Sequence, residues 1–188
     1  LIQPLHTFYV TTPNERPDFR LILAFLWGDD RNVDSDGNAA NPASRTWTEL
    51  YLQLREPLGE RVDIVEYKLL PLILKVSSES KQVAARVAYL LAKHTQGHVS
   101  YTASGPYRQP DVLIPDMGQD FDIGEAFARV RNSPFAKSTL ENPYPNLETT
   151  GQYKVYTHTA VWRERLWRTV VHLLRFIYRG KGEERTRG

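Results

Sequence analysis

LILKVSSESKQVAARVAYLLAKHTQGHVSY, residues 72–101, reads as strand, helix, strand. Leu72 to Val76 is a short apolar run of the kind that fills a buried strand. Ser77, Ser78 and Ser80 then offer side-chain oxygens that can accept from the free N–H groups of a helix start. Val83, Val87, Leu90 and Leu91 follow helical spacing, with Ala84 and Ala88 beside them. Lys93 and His94 fall in the last turn, where positive charge suits the helix dipole. Gly97 is the expected C-cap, and His98 to Tyr101 resumes as a strand. A helix joining two strands of one sheet predicts parallel strands with a right-handed crossover.

Upstream, Phe19 to Trp27 is almost continuously apolar and is bounded by Pro17 and Gly28, which predicts a buried strand. Residues 28–44, GDDRNVDSDGNAANPAS, predict a long polar loop. Residues 46–55 fit two patterns. Thr46 and Glu49 have capping-box spacing, with Trp47, Leu50, Tyr51 and Leu54 at helical intervals. Leu50, Leu52 and Leu54 alternate as a strand does. The strand is favoured because Pro57-Leu58-Gly59 then turns the chain into Val62 to Tyr67, which alternates well and completes a hairpin.

Downstream, residues 102–120 are loop-rich, with Pro106, Pro110 and Pro115. Asp122 and Glu125 repeat the capping-box spacing ahead of a short helix through Ala126, Phe127 and Val130. That helix should stop before Ser133-Pro134. Residues 134–150 are expected to be extended over the surface. A helix is predicted at about 160–179, followed by a disordered basic tail, 180–188. On that helix Trp162, Leu166, Trp167, Val170 and Val171 belong to an apolar arc about twice the ~100° that packing on one sheet requires. A second surface should therefore cover it: another element, a partner, a homodimer seam or a membrane. The resulting expectation is one α+β domain over residues 1–179. It has a mixed, mostly antiparallel sheet of four to six strands, with the 72–101 unit and the terminal helix packed on it.

The 188 residues can bury a core without disulfides or metal, and 41% apolar with 24% charged residues is globular composition. There is no cysteine, which excludes a thiolate metal site and a cysteine nucleophile and fits a reducing, cytoplasmic compartment. No run approaches the ~18 apolar residues of a membrane span. The numbering starts at Leu1 and the only methionine is Met117, so a segment ahead of Leu1 is expected to have been trimmed. Residues 1–20 show no signal-peptide pattern. The net charge of +2 conceals an asymmetry. Residues 161–188 hold eight basic and three acidic side chains, and residues 1–160 hold sixteen basic and nineteen acidic ones. A mildly acidic body is a poor footprint for nucleic acid.

No phosphate-binding loop, nucleophile elbow, zinc-protease or dinucleotide motif is present. His94 and His98 have the spacing of two zinc ligands on a helix, but Gly97 should end the helix between them. Asn32, Asp34, Asp36 and Gly37 match the first half of a calcium loop, whose twelfth position is here Ala43 instead of a bidentate carboxylate. An acidic patch for a basic partner, or a solvated loop, suits them better. Asp116, Asp120 and Asp122, with Glu125 nearby, could serve a metal-dependent hydrolase, although Asp122 already serves as a cap. The terminal helix could instead lie on an anionic membrane. No cofactor is implied.

LWGDD at Leu26–Asp30 with its acidic loop, LILKVSSES at 72–80 and NPYPNLE at 142–148 give the chain a plan that resembles the small intracellular immunity proteins of bacterial polymorphic-toxin systems. That resemblance implies tight, non-catalytic binding of a toxin domain in the cytosol. It assigns no residue by position and does not account for the basic terminal segment. Acidic loops held on a rigid sheet steer basic partners, and toxins that attack nucleic acids are commonly basic. Asp29, Asp30, Asp34 and Asp36 are therefore the expected contact residues, with Asp116 and Asp120 as second choice. Trp47 and Tyr107 are the candidate aromatic anchors.

Overall fold

A computed structural model describes residues 5–55 and 59–145, all within the first compact unit of the chain, residues 1–148. The expected helix at about 160–179 and the basic tail lie outside the described residues. In chain order the elements are β1 (His6–Thr11), α1 (Phe19–Leu26), β2 (Val33–Gly37), β3 (Glu49–Leu54), β4 (Arg61–Lys68), β5 (Ile73–Ser78), α2 (Lys81–Thr95), β6 (Val99–Ser100) and α3 (Ile123–Asn132). Two 3₁₀ turns, Pro110–Asp116 and Pro134–Lys137, flank α3.

The six strands form one sheet in the order β2-β3-β4-β5-β1-β6, and every neighbouring pair is antiparallel. The expected α+β class and the strand-helix-strand unit both hold. β5 and β6 run the same way, and β1 lies between them. Alternation divides the sheet into two faces. Phe8, Val10, Leu50, Leu52, Val62, Ile64, Leu74 and Val76 point inward and are buried in one core cluster with residues of α1 and α2. Each such side chain contributes roughly 1.5–3 kcal/mol by leaving water. A one-residue slip would turn this whole set outward, so the register is strongly specified.

α2 begins where expected. The Ser80 side chain accepts from the Val83 N–H, and ten of the fifteen residues are buried. Its end differs from expectation. Gln96, not Gly97, takes the left-handed conformation, at φ 57°. Gly97 is needed for another reason: a Cβ there would collide with the carbonyl oxygen of Thr11. The Thr11 N–H donates to His98 O at 2.9 Å, so this close approach joins the end of α2 to β1.

Phe19–Leu26 is a helix, not the predicted strand. A continuous apolar run is equally natural in a helix packed on several sides. α1 is such a helix, with contacts to α2, to α3 and to the 134–137 turn. Its start is fixed by Asp18, whose buried carboxylate accepts from the Arg20 backbone N–H at 3.0 Å. The same carboxylate accepts from Arg20 Nη2 and from Ser138 Oγ, each at 2.6 Å. The Arg20 guanidinium lies 3.9 Å from the Phe135 ring centroid and donates to Pro143 O. This buried ion pair ties α1 to residues 133–143.

The predicted loop at 28–44 contains β2. The strand was hidden because VDSDG lies at the sheet edge, where little burial selects an apolar pattern. The 134–150 stretch opens with a 3₁₀ turn instead of extended chain, and its residues 146–150 lie outside the described residues. The other expected elements hold: β3 takes the strand reading of 46–55, and Asp122 caps α3 by accepting from the Glu125 N–H.

Candidate partner-binding surface

Among the described residues β2 pairs with β3 alone. The flanking bonds, Arg55 N–H to Asn32 O at 3.0 Å and Asn38 N–H to Glu49 O at 3.1 Å, set the phase of the ladder. In that phase Asp34 and Asp36 direct their backbone groups to β3. Val33, Ser35 and Gly37 direct theirs away from the sheet. The Gly37 N–H is taken by Asp36 Oδ1 at 2.8 Å.

The side chains of Asp34 and Asp36 emerge on the outer face, opposite the core. Asp36 stands across from Tyr51, which stands across from Asp63. Asp34 stands across from Gln53, which stands across from Arg61. Asp34, Ser35, Asp36, Tyr51, Leu52, Gln53 and Arg61 line an open depression of about 230 Å³. The Tyr51 hydroxyl donates to Glu49 Oε1 at 2.6 Å. That bond, then what burial it has, then the charges of Glu49, Asp63 and Asp36 push the Tyr51 hydroxyl above its ordinary pKa. Arg61 holds Asp63 at 2.8 Å, and Arg55 holds Asp34 in a short ion pair that keeps the Asp34 carboxyl below the usual carboxylate range. This corner gathers the carboxylates of Asp34, Asp36, Glu49 and Asp63 beside the guanidiniums of Arg55 and Arg61.

The other expected residues are not gathered here. Asp29 accepts from the buried Ser133 Oγ at 3.2 Å, in the turn after α1, and Asp30 is exposed in the same turn. Trp47 is a core residue, 1% exposed, with its Nε1–H donating to Pro17 O at 2.9 Å, so it cannot anchor a partner. Its helical spacing with Leu50 and Leu54 belonged to packing. Tyr107 is half-buried and donates to Ala103 O at 3.2 Å. Burial first, then the neighbouring Tyr67 and Tyr9 hydroxyls, push its pKa up. Tyr9 and Tyr67 stack edge to face at 5.0 Å, and beyond Tyr67 the exposed Leu69 and Leu70 form an apolar tip.

The 116–125 carboxylates are dispersed among local contacts. Asp116 pairs with Lys81 at 2.7 Å and accepts from the Tyr101 hydroxyl at 2.9 Å. Burial and this bond push Tyr101 up to about 12. Asp122 caps α3, Glu125 pairs with Arg129, and Asp120 is exposed. Among the described residues no group of three or more His, Asp or Glu is placed to hold a metal ion. The calcium-like pattern at 32–37 is a β-strand, whose Asp34 and Asp36 sit in a ladder and do not wrap a cation. No helix among the described residues is long and apolar enough to cross a membrane.

Sequence reasoning missed Glu49, Tyr51, Asp63, Arg55 and Arg61. The signal for Glu49, Tyr51 and Asp63 was present, since they are the polar half of the alternation whose apolar half is Leu50, Leu52, Val62 and Ile64. Comparison of the chain with protein-family models, with curated proteins and with solved structures gives no match.

Proposed function

We propose that this chain is a non-catalytic binding protein, and in its most concrete form an immunity protein that binds and neutralises a bacterial toxin domain in the cytoplasm. The observation that supports the reading is the gathering of the Asp34, Asp36, Glu49 and Asp63 carboxylates on one corner of β2, β3 and β4. Negative surfaces of this kind raise the encounter rate with basic partners and select against acidic ones. A hydrolase built on residues 116–125 is disfavoured because Asp116, Asp122 and Glu125 are each engaged in a separate structural contact.

The test is affinity capture on the purified chain from lysate of its source organism, at low and at moderate salt. The expected result is one dominant, stoichiometric protein that survives moderate salt and whose toxic activity the chain inhibits. Capture of no protein at either salt, or of one whose activity the chain leaves unchanged, overturns the reading.

A further inference from the structure

We propose that residues 134–145 form a releasable strap, latched to the start of α1 by polar contacts and able to lift from it while the core stays closed. No residue of this segment belongs to the core cluster, and within it only Ser138 is buried. Leu140 and Tyr144 are exposed. Among the described residues, hydrogen bonds and two cation–ring contacts hold the segment to the body. Ser138 Oγ donates to Asp18 Oδ2 at 2.6 Å, Arg20 Nη2 donates to Pro143 O at 2.7 Å and Asn41 Nδ2 donates to Leu140 O at 3.1 Å. Arg45 Nη2 adds a longer bond to Ser138 O at 3.4 Å. The Arg20 guanidinium lies 3.9 Å from the ring centroid of Phe135 and 5.1 Å from that of Tyr144. A segment with so few buried apolar contacts belongs to the low-stability end of a structure and opens ahead of its core.

The latch is also incomplete. Arg20 is 7% exposed, and its Nη1 is buried with no hydrogen-bond partner. A buried donor without a partner forfeits the bonds that water would give it. Docking therefore carries a cost that release recovers, because lifting the strap admits water to Nη1. The Asp18–Arg20 pair itself is local to α1 and survives release. Arg20 Nε donates to Asp18 Oδ1 at 2.9 Å and Nη2 to Oδ2 at 2.6 Å, and neither bond involves the strap. Release removes Ser138, Phe135 and Tyr144 from around this pair. A preformed carboxylate and guanidinium are then presented at the end of α1, with the core cluster undisturbed.

The test is native-state amide exchange of the unmodified full chain, followed residue by residue through increasing urea below the unfolding transition. The Ala136, Ser138 and Thr139 amides report on the strap, and Leu90 and Leu91 report on α2. The three strap amides should exchange through one shared opening with little dependence on urea. Leu90 and Leu91 should exchange far more slowly, and accelerate steeply with urea. Ser138→Ala, which deletes the bond to Asp18, should speed all three strap amides about tenfold and leave Leu90 and Leu91 unchanged. If the strap amides share the urea dependence of Leu90 and Leu91, the strap opens only with the body and the proposal falls. It falls equally if they exchange at the rates of an unstructured peptide, since nothing is then docked. Ser138→Ala that speeds one strap amide alone, or none, also overturns it, because the segment then does not lift as a latched unit. Should that variant fail to fold, the urea dependence of the unmodified chain still decides.

Discussion

At one end of the sheet β6 is two residues long, and its outer side is occupied by Arg108. The Arg108 N–H donates to Val99 O at 2.8 Å, and the Val99 N–H donates back to Arg108 O at 2.9 Å. Behind that bridge Tyr101, Asp116 and Lys81 form a polar network against the start of α2. At the other end β2 runs five residues, with Val33 and Ser35 turning their N–H and C=O groups away from the sheet and carboxylates alongside. An unpaired strand edge invites other chains, so both ends require management. The β6 end is closed by the chain itself. Among the described residues the β2 end is left open, and it carries the carboxylates on which the proposed binding function rests.

The contrast can be broken in order of expected effect. Gly97→Ala should be the most damaging change, because the new methyl collides with the Thr11 carbonyl at the closed end. Loss on the order of 3 kcal/mol is expected in urea unfolding. Next comes a matched pair of prolines. Arg108→Pro deletes a bonded N–H and leaves the buried Val99 carbonyl without it, at a cost of about 1–3 kcal/mol. Ser35→Pro deletes an N–H that faces solvent and should stay within about 0.5 kcal/mol of the parent. Equal losses from the two would mean that β2 is no more open than β6.

Asp36→Lys comes third. It removes the carboxylate that accepts from the Gly37 N–H and should lower stability by about 0.5–1 kcal/mol in urea unfolding. The smallest effect concerns the two raised tyrosines. Tyr101 at the closed end is raised first by burial, to about 12, and Tyr51 at the open end first by its bond to Glu49. A folded pKa above the unfolded value of about 10 gives stability that is complete below pH 10. That stability is lost as pH rises toward 12. Tyr101→Phe should flatten this alkaline loss, as followed by unfolding at several pH values. If the slope is unchanged in Tyr101→Phe, the Tyr101 hydroxyl is not raised in the folded chain.

Much of this architecture was legible in the sequence wherever burial wrote a period into it. Val83, Val87, Leu90 and Leu91 mark α2 because one helix lies on one sheet, and Leu50, Leu52, Val62 and Ile64 mark β3 and β4 because each faces the core on one side. α1 was misread because a helix buried on several sides loses its polar stripe, leaving an apolar run that length alone does not separate from a strand. β2 was missed for the opposite reason, since an edge strand with little burial has no apolar stripe to show. Of the expected contact residues, Asp34 and Asp36 fall together on the acidic corner. Trp47 does not, because aromatic size favours a core as strongly as an interface. The carboxylates around Asp116 and Asp122 were close in sequence, but α2 and α3 drew them into separate contacts.

The central contrast is between a β2 edge whose Val33 and Ser35 amides face away from the sheet and a β6 edge whose Val99 and Arg108 amides are bonded. Amide hydrogen exchange, read residue by residue on the full chain, addresses it most directly. Slow exchange is expected at Val99 and Arg108, and fast exchange at Val33 and Ser35. Slow exchange at Ser35, or equal exchange at the two ends, would contradict it.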